Sequence, residues 1–365
     1  MLPPSLGETW EALERMTKIS TPRIGPRPTT KDLAKAAGVS RATVDRVLNG
    51  REGVKARTVE RVNAAIEELG FVRNLQAANL ARSTTYHFQF ALPRSGDQFL
   101  DQIVHHVREA EAIFATDHVR CDVHHIAEND PHSVSDYLGR LTTEQVSGVA
   151  IMAPQSPQVR DAIHRLQERG VAALGFVSNQ TLADDSWVGM NNDAAGATAA
   201  TLMGRYIGGR LGSILVISES MKARDSLDRR LGFDRVITQR FPGLTVLPSI
   251  ETYGDTGRAR QVIAEGLASR SDIAGVYILA SEARVPLEEL SRVGRLGPDV
   301  VRIAHERTPF TAAALRSGAL DCVIAQDPGH LVRSAIRRLK AIVDRRETLP
   351  SQERIRVEIL LDSNL

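Results

Sequence analysis

The chain has 365 residues, which is more than one ordinary domain uses, and its 42% hydrophobic and 25% charged residues are typical of a globular protein with an ample core. No apolar run has the length of a membrane-spanning helix or of a secretory signal, which argues against a membrane protein, and we expect a cytoplasmic one. Cys121 and Cys322 lie far apart and lack CxxC or metal-ligand spacing, so we expect two reduced core thiols, no metal site and no cofactor.

The N-terminal residues 1–28 are predicted to be a flexible extension, because "TPRIGPRP" at 21–28 is rich in proline and arginine. The following residues, 29–82, contain ten Lys or Arg and six Asp or Glu, which gives them a net charge of +4 in a chain whose total is +2. A local basic excess is what a nucleic-acid-binding surface needs, although solvated helices often carry one too.

The first helical patterns begin at the start of this basic segment. Thr29 and Asp32 have capping-box spacing ahead of "LAKAA", and Ser40 is placed to cap a second helix. Between these two helices, Gly38 supplies a residue that tolerates a positive φ. The pattern predicts two short helices joined by a tight turn.

A third helix is predicted over 57–70, and a short fourth one over 74–83 that would be too short to persist in water unaided. No strand pattern interrupts these helices, so the segment is predicted to be a small all-α domain. The apolar positions expected to face its core are Leu33, Ala37, Val39, Val44, Leu48, Val59, Val62, Ile66 and Leu69.

From Tyr86 onward, apolar runs alternate with helical patterns, as in "HFQFALP" followed by "FLDQIVHHVREAEAIF". Such alternation predicts an α/β fold with parallel sheets covered by helices on both faces. Ligands of these folds bind beside the carboxyl ends of the strands. Polar segments follow several predicted strands, namely "RSGD" (94–97), "SNQ" (178–180), "ISES" (217–220), "HERTP" (305–309) and "AQDP" (325–328).

The N-terminal helical segment resembles the DNA-binding headpiece of the LacI/GalR family of bacterial transcription regulators. The resemblance runs without a gap through "TTKDLAKAAGVSRATVDRVLNG", "VKARTVERVNAAIEELGFVRN" and "AANLARS". It implies a helix-turn-helix whose second helix, starting at Ser40, lies in the major groove of DNA. The domains it implies are the extension over 1–28, a helix-turn-helix DNA-binding domain over 29–73, a hinge helix and linker over 74–85, and a two-lobed effector-binding and dimerisation core over 86–360.

The family's DNA contacts carry over to matching positions of this chain. Arg41 and Ala42 take the main specificity positions, where Arg41 would pair with guanine O6 and N7 and Ala42 would contact a thymine methyl. Leu80 would wedge into the minor groove at the centre of the operator. Asp45 departs from the neutral residue that most relatives carry on this helix, so no known operator is copied here. The residues expected to bind DNA are Thr29, Thr30, Ser40, Arg41, Ala42, Thr43, Arg46, Asn49, Thr58, Asn74, Ala77 and Leu80.

The rest of the chain resembles the effector-binding core of the same family, which shares the two-lobed fold of the type I periplasmic sugar-binding proteins. The matching motifs are "VGMNNDAAG" (188–196), "RRLGF" (229–233) and "ALDCVIAQDPGH" (319–330). The resemblance places Arg229 on an effector hydroxyl or carboxylate, with a surface ion pair as the alternative. Phe99 would stack on a sugar, with ordinary packing as the alternative. The expected effector-binding residues are Asp97, Phe99, Phe176, Asn192, Arg229 and Gln326.

Acidic residues are sparse in these motifs, since Phe176 stands where many sugar binders carry an aspartate and "YILASEA" (277–283) lacks an Asn or Asp. The effector is therefore expected to be a sugar or a sugar derivative, with deoxy, phosphorylated, anionic and non-sugar compounds all open. The resemblance implies a homodimeric repressor that binds pseudo-palindromic double-stranded operator DNA under the control of this effector.

Two other functions compete with this expectation. A solute-binding receptor that acts without DNA would share the core, but not the basic helical segment. An enzyme is not expected, because no GxSxG, P-loop or HExxH motif occurs. The adjacent histidines at 105–106 and 124–125 cannot form one chelating face on a helix or a strand.

Overall fold

The computed structural model describes residues 28–48, 53–69, 71, 85–94, 96–127, 130–179, 187–294 and 296–365. The chain divides into two compact units, Met1–Ser83 and Thr84–Leu365. The change of unit coincides with the change in the sequence from helical patterns to alternating strand and helix patterns.

The described part of the smaller unit has three helices, α1 (Thr30–Ala37), α2 (Arg41–Leu48) and α3 (Ala56–Leu69). The predicted capping box is confirmed, because Thr29 Oγ1 accepts from the Asp32 amide and Asp32 Oδ2 accepts from the Thr29 amide at 2.9 Å. Gly38 ends α1 with φ 61°, and Ser40 Oγ accepts the Thr43 amide at 3.1 Å. The turn between α1 and α2 is therefore built by the residues that the sequence indicated.

The core of this unit lies where α1, α2 and α3 meet. Leu33, Val44 and Val62 are completely buried there, and Val39, Leu48, Ile66 and Leu69 pack against the cluster. Arg61 on α3 donates to the carbonyl oxygens of Ala37 and Gly38 at 2.5 and 3.0 Å. The third helix thus holds the turn in place and orients α2.

The larger unit begins with a five-stranded parallel sheet, which with its covering helices is called the first lobe. The strand order is β2-β1-β3-β4-β5. Both β3 and β4 are buried at every residue, as expected for parallel strands covered on both faces. The elements are β1 (Tyr86–Pro93), α4 (Gln98–Ile113), β2 (Val119–Ile126), α5 (Pro131–Arg140), β3 (Gly148–Ile151), α6 (Pro157–Glu168), β4 (Ala172–Phe176) and β5 (Trp187–Val188).

A second sheet with its helices forms the second lobe. Its elements are α7 (Asn192–Ile207), β6 (Gly212–Ser218), α8 (Arg224–Arg240), β7 (Leu244–Val246), β8 (Ile250–Glu251), α9 (Thr256–Ala268), β9 (Ile273–Ile278), α10 (Arg284–Val293), β10 (Val301–His305), α11 (Pro309–Arg316) and β11 (Cys322–Ala325). The chain then continues through α12 (Pro328–Val343) and α13 (Pro350–Glu353) to β12 (Glu358–Leu360). The strand order is β12-β11-β10-β9-β6-β7, with β8 also beside β6, and only β12 runs antiparallel to its neighbour.

Within the described part of the larger unit, the chain passes between the lobes three times. It crosses after β5, again between β11 and α12, and finally between α13 and β12. After the second crossing, α12 buries Leu331, Ala335 and Leu339 in a core cluster shared with Phe88 and Phe90 of the first sheet. The predicted two-lobed α/β core is therefore confirmed.

Candidate functional site

Arg229 is the centre of a buried polar network at the carboxyl ends of the second-lobe strands. Its side chain is 3% exposed and lies on α8. Nε donates to Asn192 Oδ1 at 2.8 Å, Nη1 to the carbonyl oxygen of Leu279 at 2.9 Å, and Nη2 to Glu306 Oε1 at 2.9 Å. The surface ion pair considered from the sequence is not what forms, because this pair is buried.

Glu306 directly follows β10 and was not singled out from the sequence. Its backbone has φ 63°, a left-handed conformation that costs free energy for a residue with a side chain and that concentrates at functional sites. Its side chain is 1% exposed, and Oε2 has no hydrogen-bond partner among the described residues. A strained residue that aims a buried, unpartnered acceptor into a polar network is well suited to accept a bond from a ligand.

Gln326 connects this network to the crossings between the lobes. Its Nε2 donates to Glu306 Oε1 at 3.1 Å, and its Oε1 accepts from the Met190 amide at 3.2 Å. Met190 lies on the first crossing and Gln326 on the second. The polar network is therefore bonded to two of the three connections between the lobes.

Two contacts join the lobes directly at this edge. Asp97, which caps α4 by accepting the Phe99 amide at 2.7 Å, also accepts from Ser281 Oγ at 2.5 Å through its second oxygen. The neighbouring Gln98 accepts the Phe310 amide at 3.2 Å. Burial is the main reason that the pKa of the Glu306 carboxyl is raised, and the negative charge of Asp97 adds to this effect. The structure thus brings four predicted residues to one place, namely Asp97, Asn192, Arg229 and Gln326.

Phe99 and Phe176 lie elsewhere. Phe99 is 2% exposed and Phe176 is fully buried, with its ring edge-on to Phe90 at a centroid distance of 5.2 Å. Phe176 is the last residue of β4 and is paired with Val188 of β5. The structure places both rings in the hydrophobic core, and a part for them in effector binding stays a prediction.

An exposed aromatic side chain at the carboxyl end of β8 is that of Tyr253, which sequence reasoning missed. It follows β8, is 52% exposed and has φ 53°. The guanidinium of Arg258 lies 4.7 Å from its ring centroid. A strained, exposed aromatic beside the carboxyl end of a strand is a better candidate than Phe99 or Phe176 for stacking on a ligand.

The crossing of α7 and α8 sets the distance between Asn192 and Arg229. A Cβ on Gly196 would lie 1.9 Å from the Arg229 carbonyl oxygen, and one on Gly232 would lie 2.1 Å from the Asp193 carbonyl oxygen. These two glycines let the helix backbones touch. At the same crossing, Arg235 holds Asp193 with two bonds of 2.6 Å and lowers the pKa of that carboxyl.

The smaller unit presents a separate polar surface on α2. Arg41, Ala42 and Arg46 are exposed there while Val44 faces the core. Of the other residues predicted to bind DNA, Thr29, Thr30 and Ser40 are exposed and Thr43 and Thr58 are half-buried. Asn49, Asn74, Ala77 and Leu80 lie outside the described residues, as do residues 1–27 and the predicted fourth helix.

Within the described ranges, no helix is both long and apolar enough to cross a bilayer. The same residues contain no group of three His, Cys, Asp or Glu side chains placed to hold a metal ion.

Two family models match the chain. A periplasmic binding protein domain matches residues 88–347, and the lacI family of bacterial regulatory proteins matches residues 29–74. Fold and site therefore define a two-lobed ligand-binding protein joined to a helix-turn-helix domain. The chain belongs to the family of proteins with a periplasmic binding protein domain, and its residues 29–74 carry a domain of the lacI type of bacterial regulatory proteins.

Two of the relatives found by sequence are named as regulators. The chain is 35% identical to the HTH-type transcriptional regulator RegA of Clostridium saccharobutylicum over 37% of this chain, and the aligned part spans only 39% of RegA. It is 24% identical to the sucrose operon repressor of Pediococcus pentosaceus over 76% of this chain and 85% of that one. A solute-binding protein of Burkholderia graminis, solved with D-arabinose, has the same core fold with a TM-score of 0.66 at 20% identity, covering 76% of this chain and 96% of its own.

Because the carboxyl of Glu306 is buried, we expect the free energy of unfolding to depend on pH. Burial raises its pKa from the ordinary 4.5 to about 7, against the opposing effects of Arg229 and Gln326. Between pH 4.5 and 7 the unfolded chain has released this proton while the folded chain keeps it, so the contribution of Glu306 to the free energy of unfolding falls as pH rises.

Relative to a Glu306→Gln variant, we expect the unfolding free energy of the wild type to fall by on the order of 3 kcal/mol across this window and then to stay constant. Urea unfolding at a series of pH values measures the difference. A difference that does not change, or that grows with pH, would contradict the raised pKa.

Proposed function

We propose that the chain is a sequence-specific DNA-binding repressor whose affinity for operator DNA is set by a small molecule bound between the two lobes. The observation that carries this proposal is the presence in one chain of an exposed basic recognition helix and a buried polar network with an unpartnered acceptor on Glu306. The match of residues 29–74 to the lacI family of bacterial regulatory proteins supports the first half, and the two-lobed fold supports the second.

On this proposal the protein is a cytoplasmic homodimer, and its two smaller units bind the two halves of a pseudo-palindromic duplex. Arg41 and Ala42 read bases, Arg46 and Thr43 contact bases or phosphates, and the threonines at 29, 30 and 58 contact the backbone. Asn49, Asn74, Ala77 and Leu80 complete the DNA-binding set, with Leu80 as the minor-groove wedge.

The charges of the network favour a neutral polyhydroxy compound as effector. Arg229 is the guanidinium within the network and is already paired with Glu306, while Asp97 adds a second carboxylate beside that pair. A phosphorylated or carboxylated ligand would meet uncompensated negative charge there, whereas a hydroxyl can donate to Glu306 Oε2. Glu306 and Asp97 supply carboxylates to the site from outside the "YILASEA" segment. Asp97, Asn192, Arg229, Glu306 and Gln326 would hold such a ligand, with Tyr253 against its apolar face.

Titration calorimetry tests the effector class. D-arabinose and D-allose, which structural neighbours hold in their crystals, are compared with the 5-phosphate of D-arabinose. The proposal predicts that a neutral sugar of this type binds and that its phosphate ester does not. Tighter binding of the phosphate ester would contradict the proposal that the charges of the site favour a neutral ligand.

An Arg41→Ala variant tests directly whether the α2 helix recognises bases of the operator. We expect Arg41→Ala to lose roughly 1–3 kcal/mol of discrimination at one base pair of each half-site, because a bidentate contact to guanine is lost. Operator duplexes are first selected from a random pool by the wild-type chain, and the variant is then titrated against every single-base change. Arg165→Ala, which alters an exposed arginine of the first lobe, is the matched control and should change nothing. A uniform loss at all positions would make Arg41 a phosphate contact instead.

A further inference from the structure

Helix α12 extends from the polar network around Arg229 to Tyr86, the first residue of β1. Its N-terminal end follows Gln326, and Asp327 caps it by accepting the His330 amide at 3.0 Å. Its 16 residues span about 24 Å. At the far end, Tyr86 donates to Asp344 Oδ1 at 2.6 Å. Tyr86 opens β1 and directly follows, in sequence, the stretch that joins the core to the smaller unit.

The contact at this far end is partly buried and flanked by charged side chains. Tyr86 is 1% exposed, and Lys340 lies 5.0 Å from its ring centroid and 3.6 Å from Asp344 Oδ2. Arg346 also pairs with Asp344. Burial and the hydrogen bond to Asp344 both raise the pKa of Tyr86, so its hydroxyl remains a donor. The start of β1 is thereby fixed to the last turn of α12.

All three crossings between the lobes are bonded to the same helix. Arg338 donates to the Trp187 carbonyl oxygen, next to the first crossing, at 2.6 Å. The second crossing leads directly into the helix. On α13, just before the third crossing, Glu353 accepts from Ser334 at 2.5 Å and from Arg337 at 2.7 and 2.9 Å. Any rotation of one lobe against the other therefore acts on α12.

A helix packed along its length is stiff enough to carry such a displacement. Leu331, Val332, Ala335, Ile336 and Leu339 are completely buried against the first lobe. Close-packed interiors shift as units rather than deforming gradually, so a movement at Gln326 reaches Asp344 without being absorbed on the way.

We propose that α12 transmits the state of the effector site to the DNA-binding unit. The Tyr86–Asp344 hydrogen bond is the contact through which α12 acts on the start of β1, and so on the stretch that precedes it. This inference rests on the proposed function, since it requires both an operator and a site that controls it. Tyr86 is a positioning residue in this scheme and touches neither effector nor DNA.

A double-mutant cycle on operator affinity tests the proposal without a known effector. The full-length chain is used with a duplex that the wild type selects from a random pool. Gln326→Ala changes the effector-site end of α12, and Tyr86→Phe removes only the hydroxyl at the other end. Independent sites this far apart would give additive effects on the dissociation constant, within about twofold. We expect the combined effect to depart from additivity by at least about fivefold, as coupled sites do.

Two control variants separate transmission from a general loss of structure. Tyr137→Phe removes the same group from another buried tyrosine of the first lobe, whose hydroxyl donates to Gln89, and it should combine additively with Gln326→Ala. Asp344→Asn keeps an acceptor for Tyr86 and should preserve most of the non-additivity. Additive effects for Tyr86→Phe, or equal non-additivity for Tyr137→Phe, would overturn the proposed route. If the wild type selects no duplex, the proposed function fails and this inference fails with it.

Discussion

At a pH above 7, where Glu306 is ionised, an Arg229→Leu variant is expected to lose roughly 3–5 kcal/mol of unfolding free energy, because it leaves the buried carboxylate of Glu306 without its charge partner. The same variant should lose its response to effector while keeping the operator affinity of the smaller unit, which Arg229 does not touch. Chemical denaturation followed by circular dichroism measures the first effect, and operator titration with and without sugar measures the second.

Two further variants make this result specific. Arg235→Leu, on the same helix, breaks an ion pair whose two side chains are 47% and 43% exposed, and it should cost less than about 1 kcal/mol. The double variant Arg229→Met with Glu306→Leu removes both charges and should regain most of the lost stability, but not the effector response. An Arg229→Leu variant as stable as Arg235→Leu would contradict the buried pair.

Gly232→Ala is expected to destabilise the core by roughly 3 kcal/mol or more, since overpacking against backbone atoms cannot be relieved by a side-chain movement. The added methyl would lie 2.1 Å from the Asp193 carbonyl oxygen, so α7 and α8 must separate. Arg229 precedes Gly232 by three residues on α8, and its bond to Asn192 spans the two helices. The variant should therefore also weaken the response to effector.

Gly139→Ala is the matched control for this substitution. Gly139 is an exposed residue of α5, and nothing lies within 4 Å of the position its Cβ would take. Alanine should be neutral there or stabilise by up to about 1 kcal/mol, as expected from helix propensity. Thermal unfolding of the two variants side by side gives the comparison. Equal effects at both positions would show that the α7–α8 crossing is not sterically limited.

The parts of the fold that were predictable from sequence are those fixed by local chemistry. Thr29, Asp32, Gly38 and Ser40 act within three residues of their own position, so their caps and turn could be read directly. Likewise, the long apolar runs predicted the central strands of both sheets correctly. The two- and three-residue strands β5, β7, β8 and β12 are too short to show a period, and their pairing depends on neighbours distant in the chain.

The site was only partly predictable, for a similar reason. Asn192, Arg229 and Gln326 stand in recognisable motifs, and the structure places them in one network. Glu306 lies 77 residues from Arg229 in sequence, and nothing local distinguishes it from a solvated loop residue after a strand. Phe99 and Phe176 show the opposite difficulty, because an aromatic ring has the same hydrophobicity whether it stacks on a ligand or fills a core.

One measurement tests the central claim most directly: fluorescence anisotropy of the full-length chain with a selected duplex and a scrambled one, at 50 and 200 mM salt, with and without a neutral pentose or hexose. The account predicts tighter binding of the selected duplex by on the order of a thousandfold and a steep loss of affinity with salt. It also predicts that a sugar bound at the Arg229–Glu306 site changes operator affinity by about 5- to 150-fold. Equal affinity for both duplexes, with no effect of salt or of any sugar that binds, would contradict it and would favour a solute-binding receptor that acts without DNA.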